Sequence, residues 1–325
     1  MLANKFFNQK QIHMKKQICY LFVATLSAGL FFASCKKNDT TNTATDTEVQ
    51  VQSDDQARFS NETDAVANDA NVALENSGGS YAERPTAPPL QGGACDFTVV
   101  VDTVNSPRTI TLTYSGNCLG DRTRTGSVVL SFQPGFRWGK AGATYSITYQ
   151  NLKITRGRDN KSITINGTKT ITNISGGTLR NLATATSPVV HEVKSTGMSI
   201  TFDDGTQRTW QLAKRRTFTY DNGIVLSIEG ISTEGAGIAE WGTNRFGKAF
   251  TSTILQPLVI KQSCNFRLVS GQIKHTNAER TSTTTFGLDA SGNAVTTCPA
   301  AGGFFYFKVE WVGVNGKTYS FIAPY

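Results

Sequence analysis

From Cys95 to the C terminus, apolar residues alternate with polar ones, and this period of two is the dominant pattern in the chain. The apolar members of the alternating runs are Ile110, Leu112 and Tyr114; Tyr145, Ile147 and Tyr149; Ile163 and Ile165; Ile200 and Phe202; and Ile224, Leu226 and Ile228. Such alternation places one face of a strand on a core and the other in solvent, which is typical of antiparallel sheet. We therefore predict an all-β domain over residues 93–325, with about ten to fourteen strands in an antiparallel sandwich or an extended meander of hairpins.

Four dipeptides between alternating runs predict tight hairpin turns. They are Asn166-Gly167, Asp204-Gly205, Asn222-Gly223 and Asn315-Gly316. Asn, Asp and Gly tolerate the positive φ angles that two-residue hairpin turns require.

Upstream of the β domain, one segment has a helical rather than an alternating period. Phe59, Val66, Ala70 and Leu74 recur at near-helical spacing, and Ser53 with Gln56 resembles a capping box. The pattern predicts one short amphipathic helix near residues 53–75. Such a helix either lies marginally on the β domain, which we favour, or acts as a coil or docking element.

The N terminus has the features of a lipoprotein signal peptide over residues 1–34. Met14-Lys15-Lys16 precedes an apolar run from Ile18 to Phe32, and Ala33-Ser34-Cys35 follows it. The run is 15 residues long, whereas a spanning helix needs roughly 20. Phe32 stands where Leu is more common, but the small residues before Cys35 suit cleavage. We expect Cys35 to carry the lipid, with several acyl chains as the link to the bilayer.

Residues 35–92 are predicted to form a polar tether around the helix. Lys36 to Thr47 lacks large apolar residues and is expected to be disordered. Residues 76–92 are rich in Gly and Pro and resemble a linker. Residues 36–92 contain four basic and ten acidic residues, so the segment carries −6. The chain as a whole carries +8 and the leader +4, which leaves +10 on residues 93–325. A basic body of this kind attracts anionic surfaces or polymers.

Four cysteines remain after the leader, and an even count in an exported protein predicts disulfides. Three pairings are possible. We favour Cys95 with Cys118 and Cys264 with Cys298, because each pair brackets a predicted hairpin. Zinc is the competing interpretation, but the chain has no Cys-x-x-Cys and only His275 lies near these cysteines. No metal or other cofactor is therefore expected.

Several turn and cysteine patterns resemble an uncharacterised family of Bacteroidota cell-envelope lipoproteins. They are residues 116–126 (GNCLGDRTRTG), Gln256-Pro257-Leu258-Val259 leading to Ser263-Cys264, and Asn315-Gly316-Lys317-Thr318-Tyr319. The resemblance implies an envelope lipoprotein and carries no activity. Family members often have an Asp-Gly loop directly before the last Cys, whereas here Asp289 to Gly292 lies earlier, which weakens any ion-binding role for that loop.

Catalytic motifs are scarce. Only His191 and His275 follow the leader, and neither lies in a metal-binding or hydrolase motif. Carboxylate pairs suffice for glycosidases, so the candidates are Glu229, Glu234, Glu240 and Glu310, although solvated positions are the simpler interpretation. The segments Asp203-Asp204-Gly205 and Asp289 to Asn293 suit either Ca²⁺ or, more simply, turns.

Two aromatic pairs are candidates for stacking against a glycan: Phe136 with Trp138, and Trp241 with Phe246. Their alternative role is to fold back over the ends of the β domain. The basic clusters are Arg156-Gly157-Arg158, Lys214-Arg215-Arg216, and Arg122 with Arg124. They suit either solvated strand faces or an anionic envelope polysaccharide, and no nucleic-acid recognition motif accompanies them.

The sequence thus predicts an envelope lipoprotein anchored to a membrane, by expectation the outer membrane, with a non-enzymatic structural or binding β domain. The alternative is a carbohydrate-binding or carbohydrate-active module that acts on an anionic glycan. The oligomeric state, and whether the domain faces the periplasm or the cell surface, stay open.

Overall fold

The structure is a computed structural model that describes residues 40–76, 95–118, 122–157, 159–300, 303–313 and 315–325. The signal peptide, Cys35 and the linker predicted at residues 76–92, apart from Asn76 itself, lie outside the described residues. Residues 45–325 form one compact unit, which contains most of the single α-helix of the described chain as well as the whole sheet. The predicted domain boundary at residue 93 therefore does not separate the helix from the β domain.

Among the described residues, one helix precedes fourteen strands. The elements are α1 (Thr40–Asn76), β1 (Cys95–Asp102), β2 (Arg108–Cys118), β3 (Arg122–Phe132), β4 (Ala143–Arg156), β5 (Ser162–Asn173), β6 (Val189–Phe202), β7 (Gln207–Tyr220), β8 (Ile224–Gly230), β9 (Ile238–Thr243), β10 (Ala249–Lys261), β11 (Arg267–Asn277), β12 (Thr281–Leu288), β13 (Tyr306–Val312) and β14 (Thr318–Pro324). Short 3₁₀ turns occupy Leu179–Thr184 and Gln262–Cys264.

All fourteen strands belong to one antiparallel sheet, so the predicted all-β class is confirmed in its extended-meander form. The strands follow chain order from β1 to β14 except at β9, which pairs with β7 and β10 while β8 also pairs with both. The alternating apolar residues of the sequence lie on one buried face: Ile110 and Leu112 on β2, for example, are fully buried. The core is therefore the inner face of a long sheet and not the space between two sheets.

Three of the four predicted hairpin turns are confirmed. Asp204-Gly205, Asn222-Gly223 and Asn315-Gly316 connect β6 to β7, β7 to β8 and β13 to β14. The fourth prediction is wrong, because Asn166-Gly167 lies inside β5 at a shift of register. Gly167 has φ +118° there, and a Cβ would come within 2.8 Å of the Met198 Cα atom. A strand bulge and a turn both need positive φ, so the dipeptide alone does not distinguish them.

The favoured disulfide pairing is confirmed. Cys95 bonds to Cys118 and joins the edge strand β1 to β2, and Cys264 bonds to Cys298. Each bridge closes a loop formed by neighbouring parts of the meander.

Helix α1 differs from its prediction in length and in burial. It begins at Thr40, so Ser53 and Gln56 lie inside the helix and do not cap it, and the part of Lys36 to Thr47 from Thr40 on is helical rather than disordered. Phe59, Val66, Ala70 and Leu74 are buried as their spacing indicates. The helix is consequently part of the main hydrophobic core and not a marginal surface element. Among the described residues, no helix is long and apolar enough to cross a bilayer.

Candidate functional site: the interface between the helix and the sheet

The inner face of the sheet receives α1 through an apolar contact around Phe59. The Phe59 ring is fully buried, with its centroid 5.7 Å from that of Phe202 on β6 and 6.4 Å from that of Trp210 on β7. Burying a side chain of this size contributes about 1.5–3 kcal/mol to folding. The helix is thus held first by apolar packing, which its near-helical apolar spacing specifies.

An acidic stripe runs along the same helix. Glu48, Asp55, Glu62 and Asp69 recur every seven residues, which places them close to one line on a helix. Each of the four makes an ion pair with a basic residue of the sheet or of its turns. The sequence analysis found the apolar spacing but not this stripe, although the seven-residue period of carboxylates was a readable signal.

The centre of the stripe is a buried ionic network. Arg124 on β3 donates to Glu62 at 2.6 Å and to Asp69 at 3.1 Å, and Arg122 donates to the other oxygen of Glu62 at 2.7 Å. The Tyr114 hydroxyl on β2 also donates to Asp69, at 2.9 Å. Burial favours the neutral form of Glu62, but the two arginines outweigh it and lower the pKa of that carboxyl.

The N-terminal part of the stripe contacts the turns of the sheet. Arg245, between β9 and β10, makes two hydrogen bonds with Asp55, at 2.7 and 2.8 Å. Lys248 donates to Glu48 at 2.7 Å. Desolvation raises the pKa of Asp55 to about 6 despite Arg245, and desolvation likewise raises the pKa of Asp69 to about 6 despite Arg124.

Other side chains add contacts along the helix. Asp54 pairs with Arg156 at the end of β4, and Arg58 donates to the carbonyls of Ile154 and Lys161. Towards the C-terminal end, Asn71 accepts a hydrogen bond from the Tyr145 hydroxyl at 2.9 Å. The basic residues of the sheet and the acidic residues of the segment before it therefore bind each other within one molecule.

The basic clusters singled out in the sequence accordingly have specific partners. Arg122, Arg124 and Arg156 pair with carboxylates of α1, Lys214 pairs with Glu240, and Arg215 pairs with Glu192. Arg216 donates to Asn68 of α1. Arg158 lies outside the described residues. Most of this basic surface is occupied by the helix and is not presented to solvent.

The two histidines of the domain are buried core residues. His275 on β11 shares a 3.0 Å hydrogen bond with Ser252 on β10, and Glu240 on β9 lies across from Ser252 on its other side. Glu240 thus flanks the serine and does not orient the imidazole as the acid of a catalytic triad does. Burial lowers the pKa of His275 to about 3, with the charge of Arg208 adding to the effect.

The aromatic candidates for glycan contact differ in their exposure. Trp138 is only 1% exposed and packs on Phe136 and Tyr145, so it offers no stacking face to a glycan. Phe136 and Trp241 are half-buried, and Phe246 is exposed in the turn between β9 and β10. The structure therefore brings Phe136 and Trp138 together as core packing, and it leaves Phe246 as the accessible ring.

The four candidate carboxylates differ in burial and in their partners. Glu240 is buried against Lys214 and Trp210, whereas Glu310 pairs with Lys308 on the same strand. Glu229 is exposed on β8, and Glu234 is exposed in the segment that follows this strand. Only Glu240 belongs to the interior.

Both acidic loops considered for Ca²⁺ form hydrogen-bonded turns. Asp204 accepts from the backbone and the hydroxyl of Thr206, and Asp289 accepts from the backbone of Ser291 and Asn293. Within the described part of the chain, no group of three or more His, Cys, Asp or Glu side chains is arranged to hold a metal ion.

Comparison with protein-family models, with curated proteins and with solved structures finds no match for this chain. The interface between helix and sheet is therefore interpreted from its own chemistry. It combines apolar burial with paired charges, which is an arrangement suited to holding a segment in one register.

Proposed function

We propose that this chain is a lipid-anchored protein of a bacterial cell envelope, by expectation of the outer membrane, whose β domain has a non-enzymatic structural or binding role. The observation that supports it best is the docking of α1. The helix follows the proposed lipid-bearing Cys35 within a few residues and is fixed to the sheet by its acidic stripe. Anchor and domain are thereby mechanically coupled.

Docking of α1 also limits how far the domain can lie from the bilayer. Glu48, the first residue of the stripe, lies thirteen positions after Cys35, and at about 3.5 Å per position this segment reaches at most about 45 Å. A free tether up to residue 92 would reach several times farther. The proposed lipoprotein therefore has a shorter reach from its lipid than a free tether would give it.

The buried polar groups of the domain suit a binding or structural role better than a catalytic one. The buried carboxylates of the stripe neutralise arginines, and the serine–histidine pair is enclosed in the core. Catalysis needs such groups where a substrate can reach them. The carboxylates are accounted for by their ion pairs across the interface between helix and sheet, and the serine–histidine pair by its place in the core.

Lipidation is tested by growth with a fatty-acid analogue that can be detected on protein. We expect wild-type protein to be labelled and to sediment with membranes, and Cys35→Ser protein to do neither. Cys19→Ser is the matched control, because Cys19 lies in the proposed leader and is removed with it. Equal labelling of the wild type and Cys35→Ser would contradict the proposal.

The alternative function, binding of an anionic glycan, is favoured by one observation: Phe246 is exposed beside Arg245 and Lys248. An exposed ring offers a stacking face to a sugar, and an anionic glycan would have to compete with Asp55 and Glu48 for the two cations. If this turn binds glycan, Phe246→Ala weakens binding on a glycan array, while Phe266→Ala, another exposed ring, leaves it unchanged. Absence of salt-sensitive binding by the wild type would remove this alternative.

A further inference from the structure

Arg216 on β7 is a buried cation without a carboxylate partner among the described residues. Its side chain is 1% exposed, and one terminal nitrogen, Nη2, donates to the Asn68 side-chain oxygen at 2.7 Å. Its Nε and Nη1 atoms have no hydrogen-bond partner within the described chain. The Phe218 ring, 5.3 Å from the guanidinium carbon, compensates only part of the charge. A buried ion that lacks a counterion costs several kcal/mol.

His191 lies directly opposite Arg216 on the neighbouring strand β6. The imidazole is fully buried, with ring centroids 4.7 Å from Trp138 and 5.0 Å from Phe218. Neither ring nitrogen has a hydrogen-bond partner among the described residues. Burial, aided by the charge of Arg216, lowers the pKa of His191 to about 3. A neutral ring retains one N–H group that can donate.

Two further donors belong to the residues around this pair. The indole Nε1 of Trp138 and the side-chain nitrogen of Asn71 are buried and also lack partners in the described part of the chain. Asn71 accepts from Tyr145, whose ring centroid lies 4.9 Å from that of Trp138. Donors thus come from α1, from β6 and β7, and from the segment between β3 and β4.

Among the described residues that are buried, cations outnumber carboxylates. Among the described residues classed as buried, six are cationic and four are carboxylates. The cations are Arg124, Lys169, Arg208, Lys214, Arg216 and Arg280, and the carboxylates are Asp55, Glu62, Asp69 and Glu240. An interior of low dielectric constant favours neutrality, because isolated charges are poorly solvated there. At Arg216, an added negative charge would meet two unused N–H donors and no carboxylate among the described residues.

We infer that Arg216, His191 and Trp138 form a binding site for a small monovalent anion of the halide class, with chloride as the physiological candidate. The site offers N–H donors, a net positive charge and aromatic walls. The anion would accept from the unused Arg216 N–H groups and supply the counterion that Arg216 lacks among the described residues. The anion neutralises Arg216 and stabilises the docked position of α1 through Asn68 and Asn71.

The test compares melting temperatures of the full chain in sodium chloride and in sodium gluconate at equal ionic strength. Chloride is expected to raise the melting temperature of the wild type by a few degrees, because an anion that binds only the folded state stabilises it. Arg216→Met is expected to lose this response. Arg215→Met is the matched control, since Arg215 is the exposed neighbour that pairs with Glu192, and it should respond like the wild type.

Crystals of the wild type grown in bromide provide a second measurement, which does not depend on any variant folding. The proposal predicts an anomalous peak within contact distance of the Arg216 Nε and Nη1 atoms. Equal wild-type melting temperatures in the two salts, a chloride response retained by Arg216→Met, or density at the site without an anomalous signal, as water gives, would each overturn it.

Discussion

Arg124 and Glu62 form a buried ion pair, 2.6 Å between nitrogen and oxygen, that joins the third strand of the sheet to the middle of α1. Sixty-two residues separate them in the sequence. The guanidinium is fully buried and also contacts Asp69, one helical heptad farther on. This pair fixes both the position and the register of the helix on the sheet.

Substitution of Arg124 should therefore be severely destabilising. Arg124→Met leaves the buried carboxylates Glu62 and Asp69 without their common partner, and removing one member of a buried pair costs about 3–5 kcal/mol. Arg122→Met is the control, because Arg122 is 33% exposed and its removal leaves Glu62 paired with Arg124, so a smaller loss of unfolding free energy is expected. Denaturant unfolding measures both changes. Similar losses for the two variants would contradict the assignment of Arg124 to the centre of the interface.

The apolar side of α1 should contribute as much to the free energy of unfolding as the ion pair does. Phe59→Ala removes a fully buried ring that contacts Phe202 and Trp210, and large-to-small changes of this kind cost about 3–5 kcal/mol. Phe266→Ala removes a half-exposed ring from the same domain and should change the free energy of unfolding much less. If Phe59→Ala proved as mild as Phe266→Ala, the helix would not be part of the core.

Stability should depend on pH through His275. The pKa of His275 is about 3 in the folded protein and about 6.5 in the unfolded chain. Below pH 6.5 the unfolded chain binds a proton that the folded protein does not, so stability present above that pH is lost as the pH falls. The slope for one such group reaches about 1.4 kcal/mol per pH unit.

His275→Phe isolates this contribution from those of the other groups. Asp55 and Asp69, with folded-state pKa values raised to about 6, act in the opposite direction as the pH falls from 6 to 4. The difference in unfolding free energy between the wild type and His275→Phe should be constant above pH 7 and should move in favour of the variant below pH 6. A difference independent of pH between 4 and 8 would show that His275 is not buried in its neutral form.

The disulfide between Cys95 and Cys118 should hold the edge strand of the sheet. Replacing both cysteines with Ala reopens a loop with a sequence separation of 23 residues, and the entropy of that loop predicts a loss of roughly 3 kcal/mol. Hydrogen exchange should become faster in both strands, because the whole domain unfolds more easily, and the increase should be larger in the edge strand β1 than in β10. Uniform acceleration in both strands would mean that β1 is not a separately fraying edge.

Much of the fold could be predicted from the sequence because its signals are local. Two of these signals, the alternation in β2 and the turn at Asn222-Gly223, involve residues that are close together in the chain. The pairing of Cys264 with Cys298 followed from the even number of cysteines and from the hairpin that this pair brackets. The single-sheet topology could not be chosen over a sandwich, since alternation reports a buried face but not what covers it.

The interface between helix and sheet was missed for a different reason. Net charges of −6 and +10 on adjacent segments predicted attraction to external anions, whereas Arg124 and Arg245 bind Glu62 and Asp55 of the same chain. Charge composition predicts that the partner is negatively charged, but it does not show whether that partner is another molecule or another segment of the same chain. Likewise the start of α1 at Thr40 was not predicted, because Thr-rich and Asn-rich residues do not favour a helix by themselves.

Hydrogen exchange of α1 in the full chain measures most directly whether this helix is part of the β domain. Backbone amides between Gln52 and Leu74 are predicted to exchange as slowly as those of β4 and β7, through unfolding of the whole domain. Exchange of these amides within seconds, while β4 and β7 remain protected, would contradict the docked helix and with it the proposed coupling of anchor to domain.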